Sequence, residues 1–161
     1  MVTALFEAGA AVNATDKTDS TALMYASSKN YVGIVNKLLE RGAAVNVVSP
    51  KDHLDSTALT LAAGNGQDAA LDLLLAAGAD MNWQTERDGL SAIMSAAELG
   101  HSRTVQILLA AGANPDLKDR KGNTACDLAA ANGHVAVTKV LDDFYLTQDQ
   151  PKRCRPVSKR M

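Results

Sequence analysis

Gly9-Ala10-Ala11-Val12-Asn13 returns as Gly42-Ala43-Ala44-Val45-Asn46, then as Gly78-Ala79-Asp80-Met81-Asn82, and finally as Gly112-Ala113-Asn114-Pro115-Asp116. The four glycines stand 33, 36 and 34 residues apart. A second phrase keeps the same beat: Thr21-Ala22-Leu23, Thr57-Ala58-Leu59, Ser91-Ala92-Ile93 and Thr124-Ala125-Cys126. Between the phrases lie paired apolar stripes at helical spacing, such as Leu23 and Ala26 followed by Ile34, Val35, Leu38 and Leu39. One such unit cannot bury its apolar face alone, so successive units must stack.

A period near 33 with these phrases resembles the ankyrin repeat, whose unit is a hairpin-like turn followed by two antiparallel helices. The resemblance runs from about residue 2 to residue 145 and implies an all-α ankyrin-repeat solenoid. Residues 1–13 read as a partial repeat, only an outer helix ending at Gly9, as if the chain began inside a longer protein. Whole repeats follow at about 14–46, 47–82, 83–116 and 117–145, then a basic tail over 146–161, expected to be disordered. Thr21 is placed to cap the first inner helix, and Gly42 to stop the outer one with a positive φ.

Where the chain departs from the family is informative. Asn30-Tyr31 replaces the usual Gly-His, and Asp19 replaces the usual turn glycine. The second repeat carries three extra residues between Asn46 and Thr57, which maps to a loop. The family's Thr-Pro-Leu-His becomes Thr-Ala-Leu-Met, Thr-Ala-Leu-Thr, Ser-Ala-Ile-Met and Thr-Ala-Cys-Asp. Alanine still suits a helix there but leaves the unfolded chain freer, so a modestly stable array is expected. Asp127, with Asp142 and Asp143, marks the last repeat as a closing cap.

Apolar residues make up 47% of the chain but aromatics only 4%, so Ala, Leu and Val must build the core. The net charge of -2 points to no nucleic-acid or membrane partner. That balance hides a split. The segment from Pro151 to Arg160 holds five of the 16 basic residues and no acid, leaving 11 basic against 18 acidic over residues 1–150. A solvated tail is the plain reading of that segment, a nuclear-import or anion-binding signal the sharper one. No apolar run is long enough to span a membrane, and no secretory signal opens the chain, so an intracellular location, cytoplasmic or nuclear, is expected. Cys126 and Cys154 match no zinc spacing and form no disulfide framework; Cys126, in a leucine slot, is expected as a small buried residue.

Chemistry is not expected. His53 lies in the inserted loop, while His101 and His134 fill Gly-His slots where the resemblance implies local packing and hydrogen bonding. Gly64-Asn65-Gly66 ends a helix rather than following a strand, so it is no phosphate cradle. No catalytic residue, metal site or cofactor is assigned. Asn13, Asn46 and Asn82 each follow a leucine by eight positions, which resembles the context of asparagines hydroxylated in some ankyrin proteins; bonding to the turn backbone is the alternative.

The resemblance implies a non-catalytic module that binds a protein or peptide through its concave face of turns and inner helices, and that works as a monomer. The side chains placed there by the repeat register include Lys17, Lys29, His53, Leu54, Trp83, Arg87, Leu90, Leu99, Arg120 and Lys121. Trp83 and Arg87 are the leading anchors, because Trp and Arg carry much of the energy at interfaces. The basic strip of Lys118, Arg120, Lys121 and Arg87 suggests a partner with an acidic segment and an apolar anchor. Two other readings stay open: a substrate-recognition or regulatory segment of a larger multidomain enzyme, and a structural spacer.

Overall fold

The computed structural model describes residues 11–49, 55–149 and Cys154. Eight helices fall into four pairs among them. The inner helices are α1 (Ala22–Ser28), α3 (Ala58–Gly64), α5 (Ala92–Glu98) and α7 (Ala125–Ala131). The outer ones are α2 (Val32–Glu40), α4 (Asp68–Ala76), α6 (Ser102–Ala110) and α8 (Val135–Thr147). Each inner helix packs on the next inner helix and on its own outer partner, and the outer helices stack likewise. The result is a two-layer stack with no strand among the described residues. Isolated antiparallel bridges, Thr15 to Thr21 and Ser49 to Ser56, close two of the turns.

Local chemistry fixes where each helix starts. Thr21, Thr57 and Thr124 sit in extended backbone, and their hydroxyls accept from the N–H groups of Met24, Thr60 and Asp127 at 3.3, 3.2 and 3.3 Å. Such a cap is worth about 1 kcal/mol, because those N–H groups have no partner inside the helix. Asp127 adds a carboxylate that accepts from the Thr124 N–H and hydroxyl at 2.9 and 2.8 Å. Ser91 opens α5 without a side-chain cap, and its hydroxyl is buried with no described partner.

The core is thin and aliphatic. Leu23, Leu38, Leu59, Leu71, Leu74, Ile93, Leu108 and Leu141 are almost fully buried, each contributing about 1.5–3 kcal/mol relative to exposure. Ala62, Ala63, Ala96, Ala97 and Ala129 are likewise buried and let the inner helices approach closely. Ile34 and Leu39, read as part of the apolar stripe of α2, are half-buried and pack against that core.

Each helix pair turns through one left-handed residue, at Asn30, Gly66, Gly100 and Gly133, with φ of 57, 65, 82 and 74°. Glycine is required at two of these for a second reason. A Cβ on Gly66 would lie 2.7 Å from His101 Nδ1, and one on Gly100 would lie 2.7 Å from His134 Nδ1. The histidine of one repeat therefore demands the glycine of the repeat before it. Asn30 escapes the demand because Gln67, not histidine, follows in the next repeat, and its Oδ1 accepts from the Ala70 N–H at the start of α4 at 3.1 Å. The His101 and His134 Nε2–H groups donate to the Gly64 and Glu98 carbonyls at 3.0 and 2.9 Å.

The asparagines of the opening phrase form a second row of ties. Asn13, Asn46 and Asn82 each accept, through Oδ1, the backbone N–H of the third residue in the next phrase: Ala44 at 2.7 Å, Asp80 at 2.9 Å and Asn114 at 2.9 Å. Asp116, at the end of the fourth phrase, accepts from the Tyr145 hydroxyl at 2.8 Å. Burial first, and then this carboxylate, push the Tyr145 phenol well above its ordinary value.

The cysteines correct the sequence reading. Cys126 is buried as expected, but it is bonded to Cys154 in a disulfide. The α7–α8 hairpin brings residues 28 apart in sequence to one place, which spacing along the chain does not register. The Cys154 N–H also donates to Asp142 on α8 at 2.7 Å. Of the stretch expected as a disordered tail, residues 146 and 147 belong to α8 and Cys154 is held. Residues 150–153 and 155–161 lie outside the described residues, as do residues 1–10, where the partial outer helix was expected.

Candidate functional site

Inner helices hold their invariant alanines inward and turn a varying column of side chains the other way. Tyr25, Leu61, Ser95 and Leu128 share one slot of α1, α3, α5 and α7. Ser28, Gly64, Glu98 and Ala131 share the next, and Lys29, Asn65, Leu99 and Asn132 the one after. With the turns, these slots form the face expected to bind a partner.

One hollow on that face lies between the second and third repeats. It is a groove of about 240 Å³ lined by Leu61, Leu90 and Leu99, with Asp88 and Glu98 among its polar residues. Leu99 is 57% exposed just past the end of α5. A Cβ on Gly64 would stand 3.7 Å from Leu99 Cδ1, so this side chain lies over the preceding repeat's glycine. Leu61 also lines a smaller hollow of about 110 Å³ with Tyr25, Met24 and Ser20. The apolar track thus passes from the first repeat to the third.

The turns that wall this groove are rigidly built. Leu90 and Thr85 close the third turn by reciprocal bonds: Leu90 N–H to Thr85 Oγ1 at 2.8 Å and Thr85 N–H to the Leu90 carbonyl at 3.0 Å. Gly89, at φ 73°, leaves room for the next turn, where the Arg120 N–H donates to the Asp88 carbonyl at 3.0 Å. Gln84 Nε2 donates to the carbonyls of Gly89 and Lys118 at 2.6 and 2.8 Å. In the first turn Asp16 Oδ1 accepts from the Thr18 hydroxyl, the Thr18 N–H and the Ser20 N–H, and Oδ2 accepts from Tyr25. These bonds, the Thr18 hydroxyl foremost, lower the Asp16 carboxyl to about 2. Asp119 builds the same turn in the fourth repeat, accepting from Lys121 and Asn123 N–H groups at 2.8 and 2.7 Å.

The residues expected at the binding face are distributed unevenly. Leu90 and Leu99 line the groove together. Trp83 is half-buried beside the third turn, and Arg87 is exposed on that turn. Lys17, Lys29 and Lys121 are exposed at other repeats. Arg120 is committed to the preceding turn, its Nε–H donating to the Glu86 carbonyl at 2.6 Å. His53 and Leu54 lie outside the described residues, although Ser56 at the base of their loop lines the groove. Tyr25 and Leu61 were missed. Comparing one slot across the repeats would have found them, because their column varies while the adjacent alanine or serine positions stay small.

Two comparisons with known proteins bear on the whole chain. A family model described as ankyrin repeats (3 copies) matches residues 59–147, and one described as ankyrin repeats (many copies) matches residues 5–54. A protein of Oryza sativa subsp. japonica named "Probable E3 ubiquitin-protein ligase XBOS34" is 28% identical over 142 residues. The match covers 88% of this chain but 21% of that relative, about a fifth of its length. No helix among the described residues is long and apolar enough to cross a membrane.

Proposed function

This chain belongs to the ankyrin-repeat family, whose members generally serve as non-catalytic protein-binding modules, and from that premise we propose that it holds a protein or peptide partner in the groove between its second and third repeats. The observation that carries the reading is Leu99, more than half exposed beside Leu61 and Leu90 in a concave cleft whose walls are fixed by hydrogen bonds. Leucines clustered in a hollow that is already formed lose little conformational entropy on binding. Trp83 and Arg87 extend the same face along the third turn. The module works without catalysis of its own, as a monomer inside the cell.

A photo-crosslinking amino acid placed at position 99, and separately at Lys139 on α8, tests this reading in lysate. Crosslinked species are expected from position 99 and not from position 139. The same species from both sites, or none from position 99, would remove the groove as the binding face.

A second reading is supported by the rice relative. A protein named as a probable E3 ubiquitin-protein ligase, matched over about a fifth of its length, fits repeats that select targets for a larger enzyme. In that case the groove is the recognition site and the chemistry lies elsewhere.

A further inference from the structure

We infer that the groove between the second and third repeats takes a protein segment carrying an arginine or lysine next to a large apolar residue. The inference rests on the reading of this groove as the binding face and adds the chemistry of what fills it. Its apolar part is Leu61, Leu90 and Leu99, and among the described residues its charged lining is Asp88 and Glu98. Asp88 is exposed and Glu98 half-exposed, and neither carboxylate has a partner among the described residues. Arginine and lysine are absent from the described lining.

The size of the hollow argues for side chains rather than a whole small molecule. Small-molecule pockets run from roughly 300 to 1,000 Å³, whereas this one offers about 240 Å³ and opens broadly to solvent. A long basic side chain suits such a place, because its methylene stem can lie on leucine while its charged head reaches a carboxylate at the rim. A neighbouring leucine, isoleucine or phenylalanine of the partner would cover Leu99.

The charge pattern also excludes the alternatives. An acidic segment, the partner suggested by the basic strip of the sequence, would meet two carboxylates, and like charges at an interface are costly. Of that strip, Lys118, Arg120 and Lys121 stand on the fourth turn, Arg120 already bonded to the Glu86 carbonyl, and Arg87 on the third turn is not part of the described lining. Phosphate-bearing surfaces, whether nucleic acid or anionic lipid, would be repelled by the same pair. The 18 acidic against 11 basic residues over 1–150 extend that bias to the body of the stack.

Selection from a displayed library of short random peptides, run on the full chain, tests this directly. Enriched peptides are expected to carry Arg or Lys close to Leu, Ile or Phe. Fluorescence anisotropy with one such peptide should show binding weakened about tenfold or more by Asp88→Lys/Glu98→Lys, and weakened again by Leu99→Ser. Lysine at position 98 sits in the last turn of α5, where a cation is favourable, so the fold should be retained, as circular dichroism would verify. Glu98→Gln alone provides a milder variant. Enrichment of acidic or uncharged peptides that still depend on Leu99 would overturn the inference and leave the groove as the site. Peptides indifferent to Leu99→Ser, or no enrichment at all, would overturn both.

Discussion

How much a glycine in this chain matters depends on its backbone angle and on the side chain that faces it. Gly100 and Gly133 occupy the same turn position at φ 82 and 74°. Among the described residues nothing lies within 4 Å of a Cβ added at Gly133, whereas at Gly100 the His134 ring lies at 2.7 Å. Gly133→Ala should therefore cost about 1–2 kcal/mol, the penalty of left-handed backbone alone. Gly100→Ala should cost roughly 2–4 kcal/mol, because His134 must also leave its bond to the Glu98 carbonyl. Chemical denaturation of the two variants measures the difference, and equal losses would mean that the ring moves aside freely. Asp16 gives a pH signature at the same scale. Its carboxyl falls from an ordinary 3.8 to about 2 in the fold, so its contribution is complete above the unfolded value and is lost as pH drops through about 2. A carboxyl-carbon NMR titration should place its midpoint near 2 and show Thr18→Ala moving it upward, since the Thr18 hydroxyl is the largest cause.

Helices and turns show what the sequence could and could not convey. Element type was legible because local signals agreed: a threonine cap, a stripe of leucines at helical spacing, and a left-handed residue recur in register. The positive φ of Asp19 and Asn30, at 62 and 57°, follows from their standing in glycine slots. The pairing of Cys126 with Cys154 was not legible, because the proximity arises from the return of α8 along α7. Nor was the sign of the groove. The basic residues clustered in the text of the third and fourth turns, but lining is decided by which side of each turn the stack exposes, and there Asp88 and Glu98 prevail. The missing proline of each Thr-Ala-Leu phrase has a measurable consequence at this scale. Ala22 is exposed at the first position of α1, and Thr21 before it has ψ 161°, the extended backbone a following proline favours. Ala22→Pro should thus raise stability by about 0.4–1 kcal/mol by restricting the unfolded chain. A thermal melt showing destabilisation would mean that the α1 N-terminus needs the Ala22 N–H.

At the scale of the whole molecule, order is transmitted only from neighbour to neighbour. The ties from Asn13, Asn46, Asn82, His101 and His134 each join adjacent repeats, and the helices stack in the same sequence. Such an array behaves as a row of coupled units, each with its own stability and a term for the interface to the next. The groove depends on one of those interfaces, since Leu61 comes from α3 and Leu99 from the end of α5. Losing one tie should then be felt locally rather than globally. Asn82→Ala deletes the acceptor for the Asn114 N–H and leaves the Asn46 and Asn13 ties intact. The third repeat should loosen from the second by about 1 kcal/mol, a net hydrogen bond's worth. Amide exchange in α5 and α6 should quicken five- to tenfold or so, while α1 and α2 stay near their original rates and a groove peptide binds more weakly, because the groove spans that interface. Uniform acceleration across all eight helices would instead show a stack that opens as one body, in which the end repeats and the groove share a single stability.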